Sequence, residues 1–296
     1  MMYKQLALAL ALILLASNAI AQNNQTQESD QQIGDFSLSG YADKGKKSWD
    51  ISGKTADIFD NVVKLKGVVG NLYGEKEDIK LTADKGDFDK TQGKVHLEEN
   101  VVITTTGGAK LTTDSMDWDR KNQLVSTKDA VNITRENMIT TAQGAMGEPN
   151  LSKITLEKDV KVDILPDPKE ITGDTNKIII TCDGPLEIDY AKNIATFKNK
   201  VKVDTRDNII YSDVMDVYFS QSDKGTARVS KDEAAVMMGA KIERIVARGN
   251  VKIVKGQNVS YSEEAVYSAL DKKIVLTGRP KLIIYSTEDL SASLGN

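Results

Sequence analysis

Apolar and polar residues alternate along many short stretches of this chain, and one arrangement of these stretches recurs. Its clearest copy runs from Leu81 to Thr105. An alternating stretch is followed by a turn at 89–93, and a second alternating stretch is interrupted at 98–100. Alternation with a period of two is typical of a β-strand, and Asp and Gly favour turns. The copy therefore predicts a strand, a turn, a short strand, a kink and a further strand.

The same arrangement returns about every 30 residues with two longer intervals, which predicts about seven repeats of two strands each. A shorter first copy begins at Ala56, and the later ones are marked by the residue after each kink. These markers are Val101, Val131, Val160, Val201, Val251 and Pro280.

Apolar residues of equal parity in the kinked strands are predicted to share one inward face, because successive side chains of a strand point to opposite sides of the sheet. The opposite parity places His96 in solvent. The inward candidates are Val95, Leu97, Val101, Ile103, Val125, Val131, Ile133, Leu156, Val160, Val162, Phe197, Val201, Val203, Ile245, Val251, Ile253, Leu276 and Leu282.

The N-terminus has the features of an export signal. Lys4 precedes the apolar run 6–15, and Ala19-Ile20-Ala21 is a small-x-small cleavage site. Cleavage after Ala21 predicts a periplasmic protein, whereas an uncleaved leader would tether the chain to the inner membrane.

Breaks in the pattern predict the domain organisation. Two prolines in the segment 166–170 exclude a central strand there, so this loop either separates two halves or protrudes from one array. Within the second half, 231–238 is expected to form a short helix or a mobile loop. The predicted segments are a signal peptide (1–21), a flexible linker (22–34), a first half (35–165), a proline-containing loop (166–176), a second half (177–286) and a frayed tail (287–296).

Composition and charge narrow the class of protein. The chain is 40% hydrophobic and 28% charged, which is too apolar for a disordered chain. Its formal net charge is −4, and removal of Lys4 with the leader makes the charge one unit more negative. An acidic chain argues against nucleic acid as a partner.

The reactive side chains predict no catalytic site, no metal site and no cofactor. Cys182 is the only cysteine, so it has no partner for an internal disulfide, and we interpret it as a small buried hydrophobic residue. His96 is the only histidine, and it would need a partner from a distant repeat to complete a catalytic set.

Two side-chain types recur at fixed places in the repeats. Asp57, Asp84, Asp114, Asp183 and Asp213 form a ladder, which suggests calcium binding or the capping of strands and turns. Calcium needs six to eight oxygens around one point, so capping is the favoured interpretation. The aromatic members either stack on sugar rings or, as we favour, support the turns. They are Phe59, Phe88, Trp118, Tyr190, Tyr218 and Tyr267.

The repeat resembles the OstA-like repeat of lipopolysaccharide-transport proteins, a family that includes the periplasmic LptA and the membrane-tethered LptC. The resemblance rests on the copy at 83–103, on Ala247–Ile253 and on the stretch 262–278, and it covers roughly residues 35–285. The first half is more similar to LptC and the second half to LptA.

The resemblance implies an all-β fold: an elongated, twisted antiparallel jellyroll with an open apolar groove that holds the acyl chains of lipopolysaccharide. It also implies that the protein carries or bridges lipopolysaccharide from the inner to the outer membrane. The implied partners are an inner-membrane ABC transporter complex and LptA- or LptD-type jellyrolls, joined by edge-to-edge strand addition, with head-to-tail self-association. On this basis we predict docking edges at Phe36–Gly53 and Ile274–Tyr285.

Two alternatives share the export signal and the repeats. An exported structural or adhesive β-solenoid would have a closed, packed interior and no lipid cargo. A polysaccharide-acting β-helix enzyme would carry clustered acidic or basic groups on one face, and the sequence shows no such cluster.

Overall fold

Every regular element in the computed structural model is a β-strand, and every strand pairing is antiparallel over the part of the chain that the structure describes. The described residues are 30–41, 45–74, 78–119, 121–122, 124–135, 137–148, 153–165, 177–221, 236–237, 240–271 and 273–285. The antiparallel all-β jellyroll expected from the sequence is therefore confirmed.

The strands fall into two units. Unit 1 comprises residues 1–123, and its described residues form six strands, each paired with the next along the chain. They are β1 (Gln31–Tyr41), β2 (Lys47–Ile58), β3 (Val62–Leu72), β4 (Ile79–Asp89), β5 (Lys94–Thr105) and β6 (Lys110–Asp119).

Unit 2 comprises residues 124–296 and contains twelve strands among its described residues. They are β7 (Leu124–Arg135), β8 (Met138–Gly147), β9 (Lys153–Ile164), β10 (Ile178–Cys182), β11 (Leu186–Asp189), β12 (Ile194–Asp204), β13 (Ile209–Gln221), β14 (Val236–Met237), β15 (Ala240–Lys255), β16 (Asn258–Ser268), β17 (Lys273–Thr277) and β18 (Lys281–Ile283).

Strand pairing in unit 2 continues across the predicted proline-containing loop. Strands β10 and β11 lie one after the other along β9 on one side and along β12 on the other. The register places Val160 opposite Cys182 and Leu156 opposite Leu186. The segment 166–176 itself lies outside the described residues, but the strands on its two sides belong to one ladder.

The predicted kinks are β-bulges within continuous strands in most repeats. The register of β5 shifts between Glu98 and Val101, and β12 and β15 shift at the corresponding places. In the last copy the kinked strand is broken into two strands, β17 and β18. Residues of the bulges adopt the left-handed backbone conformation, which Asn and Gly tolerate best. They include Glu99, Asn100, Asn199, Lys200, Gly249 and Asn250.

The bulges explain why parity identifies inward residues on both sides of a kink. Leu97 and Val101 lie four positions apart on either side of the bulge, and both are buried. The neighbouring strand β4 does not follow this spacing. Its residues Ala83 and Gly86 are both buried although they lie three positions apart. Simple alternation therefore fails in the unkinked strand of the repeat.

Three residues of the acidic ladder contact residues of the bulges, which is a structural role but not the capping of strands and turns that we expected. Asn100 Nδ2 donates a hydrogen bond of 2.6 Å to Asp84 Oδ2, and Asn250 Nδ2 donates one of 2.8 Å to Asp213 Oδ2. Asp183 instead forms an ion pair of 2.7 Å with Lys200. Within the described residues, no cluster of His, Cys, Asp or Glu is suited to a metal ion.

Unit 2 encloses a packed core. Its buried members include Leu156, Leu186, Phe197 and Val251, each at most 1% exposed. Cys182 belongs to the same core, and burial raises the pKa of its thiol. The prediction that this cysteine behaves as a small buried hydrophobic residue is confirmed.

Several predicted segments lie partly or wholly outside the described residues. The signal peptide, the frayed tail and most of the linker belong to this group, although β1 already begins at Gln31, within the predicted linker. The proposed helix at 231–238 is wrong at Val236–Met237, because these residues form β14 and pair with β15. No helix capable of crossing a bilayer occurs in the described ranges.

Candidate functional site

The interior of unit 1 carries an apolar row that crosses all six strands. Its members face one another in successive strand pairs, and all are half-buried. We call this set the apolar row: Leu38, Ile51, Gly70, Leu81, Ile103 and Leu111.

A gap interrupts the apolar row at Gly70. A methyl group placed on this glycine would meet no atom closer than the carbonyl oxygen of Asp50, at 4.0 Å. The flanking partners in the row are Ile51 and Leu81. The missing side chain leaves space between two aliphatic side chains on the inward face.

A buried layer lies beside the apolar row, at the level of the bulges. It contains Leu65, Val68, Leu97, Val101 and Met116, each at most 8% exposed. Leu97 lies close against Gly86, since its Cδ2 is 2.9 Å from where a Cβ on that glycine would be. Unit 1 therefore combines a packed layer with an adjacent aliphatic surface that solvent reaches.

The corresponding row of unit 2 is more deeply buried in its central strands. Val162, Ile180 and Val203 face one another across β9, β10 and β12, and their exposed fractions are 1%, 6% and 9%. They pack into the core described above. In this row the central strands of unit 2 are buried by their own side chains, whereas the six members in unit 1 are half-buried.

The predicted inward residues divide into three classes of exposure. The buried ones are Leu97, Val101, Val131, Leu156, Val160, Val162, Phe197, Val201, Val203 and Val251. The half-buried ones are Val95, Ile103, Val125, Ile133, Ile245, Ile253 and Leu276. Leu282 is 63% exposed, because it lies in the short last strand β18, which pairs on one side only with β16 among the described strands.

Sequence reasoning missed four aliphatic members of the apolar row, and it did not identify Gly70 either. Leu38, Ile51, Leu81 and Leu111 belong to strands of the repeat that were not used to define the inward face. Alternation within each of these strands identifies the inward residues on one side of the bulge. The change of parity between Ala83 and Gly86 prevents a single rule from covering the whole strand.

The Asp50 side chain lies on the outward face of β2, where it binds three side chains near one end of the strand. It accepts hydrogen bonds from Asn71 Nδ2 and the Tyr73 hydroxyl, each at 2.7 Å, and from Lys47 Nζ at 3.0 Å. These donors lower the pKa of the Asp50 carboxyl to about 2, with Asn71 making the largest contribution. The backbone beside the gap at Gly70 is therefore supported by a charged network.

His96 and two of the recurring aromatic residues have contacts with other side chains. His96 Nδ1 lies 2.6 Å from Asp117 Oδ1 on the outward face. Tyr190 packs edge-on against Phe219, with ring centroids 6.1 Å apart. Arg244 lies over the ring of Tyr218 at 5.7 Å. Tyr190 and Tyr218 thus contact other side chains of the same chain, and the role of the aromatic positions at the turns stays a prediction.

Two family models match the chain. The model described as lipopolysaccharide-assembly, LptC-related, matches residues 5–164, which is more than half of the chain. The model described as LptA/(LptD N-terminal domain) LPS transport protein matches residues 184–292. No curated protein matches the chain. The first matched region ends with β9 and the second begins just before β11, so the β9–β11 pairing joins the two regions.

Proposed function

We propose that this chain, which belongs to the LptC-related lipopolysaccharide-assembly family, binds the acyl chains of lipopolysaccharide along the apolar row of unit 1. The observation that carries the proposal is the half-buried aliphatic row with its gap at Gly70. A soluble protein gains stability by covering such a surface, and hydrocarbon is the ligand that covers it without requiring polar partners.

The free energy of burying an acyl chain determines how costly it is for a lipid to cross water. Each buried CH₂ group contributes about 0.8 kcal/mol, so exposing a chain of roughly twelve carbons to water costs on the order of 10 kcal/mol. An inward aliphatic surface lowers this cost for a lipid that leaves a membrane. The role is transport in the periplasm without a chemical reaction, and the energy for directed movement comes from another component.

The fused arrangement supports a bridging role. The region matched by the LptC-related family and the region matched by the LptA/LptD family are joined by backbone pairing of β9 with β11. Strand addition between separate jellyrolls would form the same kind of ladder. We therefore propose that this single chain contains, within one continuous ladder, the kind of junction that separate jellyrolls form by strand addition.

Photocrosslinking tests the lipid surface. A benzophenone amino acid at Leu81 or Ile103 is expected to form adducts with lipopolysaccharide, because both positions face inward along the apolar row. The matched controls are Thr82 and Thr104, which follow these residues on the same strands, face outward and are also half-buried. Equal adduct yields from the inward and outward positions would contradict the proposal.

The packed core of unit 2 favours a second candidate for that part of the chain, a closed structural array without cargo. Leu156 and Phe197 are fully buried by other side chains, so acyl chains would have to displace them. Crosslinking from Phe197 distinguishes the two roles. Adducts at Phe197 comparable to those at Ile103 would extend the lipid path into unit 2, and their absence would restrict cargo to unit 1.

A further inference from the structure

The outward face of unit 2 carries a row of alternating basic and aromatic residues. Five consecutive members face one another across five strands. They are Lys202 on β12, Tyr211 on β13, Lys252 on β15, Tyr261 on β16 and Lys281 on β18. We call this set the Lys–Tyr row. It lies on the side of the sheet opposite to the buried residues Val201 and Val251, so it is separate from the interior described above.

The side chains of the row differ in the partners they already have. Lys202 forms an ion pair of 2.8 Å with Asp204, which partly neutralises that end. Lys252 Nζ instead lies 5.7 Å from the centre of the Tyr211 ring, and Tyr211 and Tyr261 are 37% and 40% exposed. The structure shows no ion pair for Lys252 or Lys281 with any described carboxylate.

The spacing suits an extended anion with flat, weakly polar faces. Every second strand carries a lysine, and two strand spacings amount to about 9.5 Å. A phosphate accepts strong hydrogen bonds from an ammonium group, while the exposed face of a tyrosine packs against the apolar face of a sugar ring. Lysines separated by tyrosines thus match sugars that carry phosphate groups.

We infer that the Lys–Tyr row binds a phosphorylated oligosaccharide, with Lys252 and Lys281 contacting phosphate and Tyr211 and Tyr261 contacting sugar. An anionic bilayer fits the surface less well. The next row on the same face contains Asp163 and Asp204 among half-buried aliphatic residues, and a flat bilayer would approach both carboxylates.

The edge strand β18 gives the row a connection to a lipid. Lys281 belongs to the row, while Leu282 points to the opposite side of the strand and is 63% exposed. An amphiphile that lies across this edge places hydrocarbon against Leu282 and phosphate against Lys281. The assignment of the oligosaccharide as the headgroup of lipopolysaccharide rests on the proposed function, whereas the binding of phosphorylated sugar does not.

Binding of an acyl-free, phosphorylated core oligosaccharide to the full chain tests the inference by calorimetry. Lys252→Gln is expected to raise the Kd about tenfold, because one charge-assisted hydrogen bond is lost. Tyr261→Ala is expected to raise it severalfold, and Tyr261→Phe to preserve it. Lys273→Gln is the matched control, since this lysine is exposed on β17 outside the row. Thermal unfolding verifies that each variant is folded.

Further ligands separate the possible sources of binding. A dephosphorylated oligosaccharide is expected to bind at least about tenfold more weakly than the phosphorylated form. The inference is overturned if the oligosaccharide does not bind, or if Lys273→Gln weakens it as much as Lys252→Gln does. It is also overturned if Lys252→Gln weakens the binding of anionic vesicles or of a single-stranded oligonucleotide and leaves oligosaccharide binding unchanged.

The two proposals fail in different ways. Ile103→Asp is expected to abolish binding of an acyl-chain probe and to leave binding of the acyl-free oligosaccharide unchanged. Lys252→Gln is expected to raise the Kd of the oligosaccharide about tenfold and to leave acyl-chain binding unchanged. Loss of both activities in either variant would contradict the separation of the two surfaces.

Discussion

At the residue scale, the bulges depend on a few left-handed positions with acidic or amide partners. Gly249 has a φ of 75°, and a methyl group on it would lie 2.5 Å from Asp213 Oδ2. Asn250, the next residue, donates its hydrogen bond to the same carboxylate. Side-chain size and backbone conformation are thus both restricted at one point of β15.

Gly249→Ala is expected to destabilise the protein by about 1–2 kcal/mol, because a left-handed backbone conformation costs this much for a residue with a Cβ. Urea unfolding of the full chain measures the loss. The double variant Asp213→Ala/Gly249→Ala removes the close contact and keeps the strained φ. Full recovery in the double variant would show that backbone conformation contributes little.

The Asp50 network predicts a pH dependence of stability. The pKa of Asp50 falls from 3.8 to about 2 in the folded protein, so its contribution is present above pH 3.8 and is lost as the pH falls through about 2. The difference in urea midpoint between the native protein and Asp50→Asn is expected to shrink between pH 5 and pH 2. A difference that stays constant over this range would contradict the assigned role.

At the element scale, the outer edge of the last strands combines exposed aliphatic residues with unpaired backbone groups. Ile274, Val275 and Ile284 are between 52% and 65% exposed. The backbone N–H of Tyr285 donates to Asn258 Oδ1 on the β16 side, so the N–H of Ile284 points to the open edge. This geometry suits the strand addition predicted for Ile274–Tyr285.

Ile284→Pro is expected to weaken edge pairing with an LptA-type jellyroll or a second copy by roughly five- to tenfold, because it removes one edge donor. Sedimentation velocity measures the association. Ile284→Ala is the control, since it shortens the side chain and keeps the N–H group. If the proline variant associates as well as the alanine variant, the edge is not the docking site.

At the scale of the whole molecule, the two units differ in how completely they bury their interiors. Val162, Ile180 and Val203 in the corresponding row of unit 2 are at most 9% exposed, while the apolar row of unit 1 is half-buried. A half-open interior contributes less hydrophobic stabilisation per residue than a packed one. Ligand binding to the open interior would compensate for part of that difference.

Calorimetry of the full chain is therefore expected to show two transitions, with unit 1 unfolding at the lower temperature. Lipopolysaccharide fragments that carry acyl chains are expected to raise the temperature of the first transition. The stabilisation amounts to about 2.7 kcal/mol at a ligand concentration of about one hundred times the Kd. Ile103→Asp is expected to abolish this rise. A rise confined to the second transition would place the lipid in unit 2.

The sequence predicted the strand repeat and the inward parity of the kinked strands because alternation and turn residues are local signals. Leu97 and Val101 are examples, since both are buried as their spacing indicates. The apolar row was harder to predict, because Leu81 and Ile103 become neighbours only through strand register. The difference in exposure between Ile103 and Val203, which occupy the same place in their repeats, depends on how many side chains surround each residue, which no local pattern records.

The burial of Cys182 makes the chain convenient for chemical labelling. It is the only cysteine in the sequence, it is 5% exposed, and its raised pKa keeps the thiol protonated at neutral pH. A cysteine introduced at any exposed position would be the one readily alkylated thiol of the folded protein. Spin labels or fluorophores can therefore be attached one site at a time, along either face of the sheet, in the otherwise native sequence.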